Sequence, residues 1–313
     1  MRTGLLHNCR FSDSDSVILQ KFLPMDLWQA LLVVCPIACL GGAINSIAGG
    51  ATLLTFPALL YALEGMGIPG GMSILANGTN KVALCPASFT GAWGYRRELR
   101  SLGKHVLRLA LPSIIGATTG TLAVVWNGEK SFRAMVPWLI ATATILLILQ
   151  PHLAARRQLP QQENAPPPTS RLVLLLQFLI GVYGGYFGAG IGILMITSLS
   201  LLNIGDIHQI NALKNILGGL INCVSMVIFL ANGEVVWKLA IPMILAAMVG
   251  GWLGAAWARR LDRRLVRRII IATGISLSVW YFARIYFTSE SRPAPPAEPA
   301  LQDRPQSAPA TVR

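Results

Sequence analysis

Gly41-Gly42-Ala43-Ile44-Asn45-Ser46-Ile47-Ala48-Gly49-Gly50-Ala51-Thr52-Leu53-Leu54 decides how this chain folds. The stretch closes an apolar run that begins near residue 27, breaks at Gly49-Gly50, and resumes as a shorter apolar run to residue 63. About 20 apolar residues carry a helix across the hydrocarbon core of a bilayer, and about a dozen do not. The reading is therefore a helix that stops inside a membrane and restarts, either as a re-entrant hairpin or as a broken helix. The same pattern returns at Gly181-Val182-Tyr183-Gly184-Gly185-Tyr186-Phe187-Gly188-Ala189-Gly190-Ile191-Gly192, where glycines separate the run 171–188 from the short run 191–202.

Working outward, ten apolar stretches are legible, at 27–48, 51–63, 72–94, 106–126, 133–150, 171–188, 191–202, 210–231, 236–257 and 265–287. Depending on how the broken pairs are counted, they make roughly eight to ten crossings. Composition demands the same environment. Of 313 residues, 53% are hydrophobic and 12% charged, about half the charged share of a soluble chain. The expected fold class is an all-α polytopic membrane protein.

The two breaks are also landmarks of a duplication. Gly41 aligns with Gly181, Gly50 with Gly190 and Leu54 with Leu194 at an offset of 140. Asn77 aligns with Asn211, Gly116 with Gly250 and Gly120 with Gly254 at 134. One loop that differs by six residues accounts for the shift, and an internal repeat is the simplest origin. The expected organisation is an N-terminal extension (1–25), a first transmembrane repeat (26–150), a linker (151–170) containing Pro166-Pro167-Pro168, a second repeat (171–287), and a Pro/Ala-rich tail (288–313) too poor in apolar residues to fold. Asp13 and Asp15 spoil any signal peptide at the start. Met25 directly precedes the first long run, which leaves open whether 1–24 belong to the mature protein.

The 26 Lys and Arg against 13 Asp and Glu give +13, but the basic residues gather in short loops. They lie at Arg96 to Lys104, at Arg156, Arg157 and Arg171, and at Arg259 to Arg268. Such loops stay cytoplasmic, so 96–104, 151–171 and 258–268 are expected on the cytoplasmic side of a bacterial-type inner membrane, with both termini outside. Nucleic acid is not an expected partner; the lipid bilayer is. An odd number of stretches per copy makes the copies run in opposite directions. Inverted repeats with interrupted helices are a plan of secondary transporters, which bind substrate near the midplane.

The chemistry is read from what lies inside the apolar stretches. The carboxylates and histidines all fall in loops, tails or segment ends, so no buried acid, proton relay or metal cluster is legible, and no cofactor is expected. The five cysteines are scattered and suggest neither a disulfide framework nor a zinc site. Two lysines do lie inside, Lys81 in Asn77-Gly78-Thr79-Asn80-Lys81 and Lys214 in Asn211-Ala212-Leu213-Lys214-Asn215. An ionisable residue at that depth faces a cavity or a partner. Two readings stay open: the lysines hold an anionic substrate together with the Asn and Thr donors, or they bond carbonyls of the neighbouring breaks and hold the helices together. The helix restarts after Gly49-Gly50 and after Gly188 and Gly190 offer unpaired N–H groups to an oxyanion, with Asn45 adding a donor. Close helix packing is the other use for these glycines.

Gly41 to Gly50 leading into Leu53-Leu54-Thr55-Phe56-Pro57, followed by Gly78-Thr79-Asn80-Lys81, resembles the first half of the sulfite exporter TauE/SafE family of membrane permeases. Gly184 to Gly192 and Asn211 to Asn215 resemble its second half. The resemblance covers about residues 27–287 and implies a permease that moves sulfur-containing anions such as sulfite or organosulfonates, usually outward. It carries family positions onto Gly49, Gly50, Asn80 and Lys81, and onto Gly188, Gly190, Lys214 and Asn215. The expected function is thus a secondary transporter working by alternating access around a central site. The alternatives are a permease for another small anion (a carboxylate, thiol or metal oxyanion) and a non-transporting membrane scaffold. An enzyme is not expected, because no catalytic acid, base or metal set lies within the helices. The sequence leaves room for a homo-oligomer.

Overall fold

The chain folds as its glycine punctuation dictates. The computed structural model describes residues 25–47, 49–68, 72–155, 170–200, 207–257 and 263–283. All but the last residue of the expected extension (1–25), most of the linker (156–169), the tail and residues 258–262 of the arginine-rich loop lie outside the described residues. In the first half, α1 (Leu27–Ile47) ends at the first break and α2 (Thr52–Gly65) restarts beyond it. Then come α3 (Met72–Gly94), a short α4 (Arg96–Leu99) and α5 (Gly103–Ala155). In the second half, α6 (Ser170–Tyr186) ends at the second break, and α7 (Ile191–Leu199), α8 (Ile207–Ala231), α9 (Trp237–Trp257) and α10 (Arg263–Phe282) follow. No strand occurs among the described residues.

Four helices are long and apolar enough to cross a membrane unaided, among the described residues: Leu27–Ile47, Gly103–Leu149, Ile207–Ala231 and Trp237–Ala256. At 1.5 Å per residue the second would be about 70 Å long if straight, twice a bilayer core. It is instead two limbs that meet at Gly128, whose φ of 72° suits glycine. Helix α3 falls short in apolarity because Asn77, Thr79, Asn80 and Lys81 interrupt it, and all four are buried. The first broken pair returns to the side it started from, since the Met25 N–H donates to the Gly65 carbonyl.

Apolar side chains cover the helix surfaces, and polar ones are buried within a largely apolar core. Leu32, Leu107, Leu111, Leu245 and Val249 stand exposed on the helix surfaces, while Ser88, Ser113, Thr121, Gln177, Asn222 and Ser225 are buried. Water does not tolerate that arrangement over so large an area, and lipid does. Trp28, Trp93, Trp126, Trp138, Trp237 and Trp280 are all exposed, as suits side chains that anchor helices at a bilayer interface.

Helix α1 packs on α9, and the first limb of α5 packs on α6. Small residues set both contacts. A methyl group added at Gly250 of α9 would overlap the Cys39 carbonyl of α1, and one at Gly120 of α5 would overlap the Val182 carbonyl of α6. Such close backbone approach is the usual means of helix association in lipid. Helices α3 and α8 pack together between these pairs, joined by a disulfide between Cys85 and Cys223 with Cα atoms 5.4 Å apart. Spacing gave no hint of that pair, because it closes over 138 residues between two helices that only the tertiary fold brings together.

Candidate functional site

The two glycine breaks meet. A side chain at Gly49, where φ is +74°, would strike the backbone of Gly192, at the first turn of α7. Around this contact lie the C-terminal ends of α1 and α6, whose last carbonyls have no partner within their own helices.

The lysines supply those partners, each from the opposite half of the chain. Lys81 of α3 is 1% exposed, and its Nζ donates to the Gly184 carbonyl in the last turn of α6. Asn77, one turn earlier on α3, donates to the Tyr186 carbonyl at 2.9 Å. Lys214 of α8 is 2% exposed, and its Nζ donates to the carbonyls of Asn45 (2.9 Å) and Ser46 (3.2 Å) at the end of α1. Asn215 adds a longer bond to Ser46, 3.3 Å. A helix C-terminus carries partial negative charge, so each ammonium sits where the backbone offsets part of its burial cost.

The remaining residues singled out from the sequence divide between the breaks and their surroundings. Asn80 ties α3 to α2, accepting from Thr55 Oγ1 at 2.6 Å and donating to Thr52 Oγ1 at 3.2 Å. Asn45 donates to Ser88 Oγ at 3.1 Å. Gly50, Gly188 and Gly190 all have positive φ, and Gly188 packs directly against Lys81 Nζ. Asn211 is buried, with its carbonyl oxygen lacking a partner among the described residues. Thr79 points elsewhere: its hydroxyl accepts from the Val236 N–H at 3.0 Å and holds the α8–α9 connection against α3.

Beside Lys214 is a small polar cavity, lined also by Asn45, Ser88, Asn215, Asn222 and the first turn of α7 at Ile191 and Gly192. It has room for about one water molecule. Sequence reading missed Ser88 and Asn222. They carry no charge and belong to no glycine motif, and their one signal is the separation of 134 residues that also relates Asn77 to Asn211.

Carboxylates stay at the edges. Among the described residues Asp26, Glu64, Glu98, Glu129 and Glu234 lie at helix ends, in α4 or in connections, and no three His, Cys, Asp or Glu side chains come together to hold a metal. Glu129, at the bend of α5, caps α3 by accepting from the Ser73 and Ile74 N–H groups, both at 2.9 Å. Glu234, before α9, has its pKa raised, by burial first and then by the charge of Glu129.

The sequence profile of the Sulfite exporter TauE/SafE family matches residues 34–281. The chain is 26% identical over 264 residues to the probable membrane transporter protein YfcA of Escherichia coli K12, a match that takes in 81% of this chain and 93% of that one. It is 26% identical to a probable membrane transporter protein of Haemophilus influenzae (79% and 92% covered). It is 28% identical to the probable membrane transporter protein ORF9 of a Sinorhizobium species (77% and 88% covered). No solved structure matches the chain.

Proposed function

Because the chain belongs to the sulfite exporter TauE/SafE family, a family of membrane transporters and not of enzymes, we propose that it exports small sulfur-containing anions, such as sulfite or organosulfonates, across a bacterial inner membrane. It works by alternating access between two inverted repeats, around a central site where the breaks cross. One observation carries this reading: Lys81 and Lys214, buried lysines from opposite halves, converge on the two breaks, and the carboxylates described are all elsewhere. A buried site that holds positive charge and amide donors without a competing negative charge suits an oxyanion. In the conformation described, the lysines are held by helix-end carbonyls. An anion oxygen arriving at an ammonium replaces those carbonyls, which couples binding to release of the break.

The inverted arrangement is supported by reciprocal packing and reciprocal capping. The opening helix of each half packs on the fourth crossing of the other, and each half's lysine caps the other half's break. The basic loops around 96–104, 151–171 and 258–268 then face the cytoplasm. A cytoplasm-negative potential of 100 mV drives each unit of negative charge outward by about 2.3 kcal/mol, enough for uniport. The test is flux from liposomes holding the purified protein, with sulfite, sulfoacetate and acetate compared at a set potential. Potential-driven sulfite or sulfoacetate efflux above protein-free vesicles is expected. Loss of acetate alone would move the assignment to carboxylates, and no flux of any of the three would overturn it.

A further inference from the structure

We propose that the cavity between Ser88 and Asn222, which has room for about one water in the conformation described, widens into the subsite for the oxyanion as Lys214 leaves the α1 carbonyls, and that these two side chains choose among anions. The inference rests on the anion-transport reading. Ser88 of α3 and Asn222 of α8 are 134 residues apart, the offset that relates the two halves, so they are matching positions that face each other across the α3–α8 seam. In a transporter built from inverted repeats the substrate lies at the repeat interface near the midplane, and this pair stands at that interface.

The polar groups there are arranged for an acceptor. The amides of Asn45 and Asn222, one from each half, both aim at Ser88 Oγ, at 3.1 and 3.5 Å. The Ser88 hydroxyl proton is already given to the Leu84 carbonyl at 2.8 Å, which leaves the oxygen to receive the amides. A donor–acceptor distance of 3.5 Å is beyond a full-strength bond, so Ser88 satisfies Asn222 poorly. Lys214 and the first turn of α7 line the same space. Helix α7 begins after a left-handed Gly190 that brings no side-chain cap to its first N–H groups. The Ile193 N–H turns back to the Gly190 carbonyl at 3.0 Å. An oxyanion with its oxygens spread about one atom takes the ammonium on one oxygen and the converging amides on another. Ser88 and Asn222 are a repeat-matched pair that differs between the halves, one a hydroxyl and one an amide, which gives the subsite a defined orientation for its ligand.

The experiment uses the full chain in liposomes, with sulfite and acetate as probes and monodisperse gel filtration as the check on folding. Ser88→Ala and Asn222→Ser should raise the half-saturating sulfite concentration about tenfold, the worth of one hydrogen bond to a charged group, and shift the sulfite-to-acetate ratio. Asn222→Asp, nearly the same in shape but negative, should abolish sulfite flux. If that variant fails to fold, the two neutral variants decide. Wild-type sulfite flux together with unchanged half-saturation and unchanged ratio in both neutral variants overturns the subsite and leaves the transport reading standing. No sulfite flux in wild type overturns both.

Discussion

At the scale of single residues, the centre of this protein is governed by the cost of putting charge and polar backbone into lipid. Lys81 and Lys214 stay buried because each meets helix-end carbonyls, and Gly188 is glycine because two demands coincide there. Its φ is +87°, and a Cβ would lie 2.5 Å from Lys81 Nζ. Gly188→Ala should therefore lower stability by about 1 to 2 kcal/mol from backbone strain alone and reduce flux as well, by displacing the lysine; thermal unfolding in detergent and liposome flux read the two effects separately. The sequence made the lysines conspicuous, since an ion in an apolar run is improbable without a reason. It left open whether they bond carbonyls or substrate, because their carbonyl partners belong to the other half of the chain. It hid Ser88 and Asn222 for a related reason: a small hydroxyl or amide in a membrane helix ordinarily serves packing.

At the scale of elements, the helix ends are where sequence and stability connect. Glu129 caps α3 from the bend of α5 with both carboxylate oxygens, so Glu129→Gln should cost about 1 kcal/mol, seen as a lower unfolding temperature. Glu234 gives a pH signature. Its pKa is raised in the folded protein, so the folded state holds this proton more tightly than the unfolded chain does. Its contribution to stability is complete below the ordinary carboxylate value and is lost as pH rises through the raised one. Unfolding temperatures measured from about pH 4 to pH 7 should show that decline in wild type and less of it in Glu234→Gln; identical curves would remove Glu234 as the cause. Helix contacts respond to volume: Gly120→Leu would drive a side chain into the Val182 carbonyl, and overpacking of that kind costs about 1 to 3 kcal/mol. Among the described residues, nine of the ten helices, with α5 taking two of the apolar stretches, were legible from apolar length and glycine punctuation. The four-residue α4 was not, being too short and too basic to leave a periodic signal.

At the scale of the whole molecule, the proposed crossing directions rest on where the basic loops lie. Cysteines introduced at Gly128 and Asn232 in a chain lacking its native cysteines should react with a membrane-impermeant thiol reagent in intact cells, and one at Ser101 only after permeabilisation; the reverse pattern would invert the topology. The proposed duplication rests on glycines and Asn-Lys motifs that recur at fixed offsets in the sequence. The way the halves embrace, with each lysine reaching the other half's break, was not, since no local pattern encodes a contact 103 or 169 residues away. The central claim is that those two lysines serve a transported anion as well as the helix ends. It is tested most directly by sulfite efflux from liposomes at a fixed potential, comparing wild type with the Lys81→Met, Lys214→Met double variant. The account predicts that the folded double variant loses sulfite flux while wild type sustains it; a double variant that exports sulfite at the wild-type rate would contradict it and leave the lysines as helix caps alone.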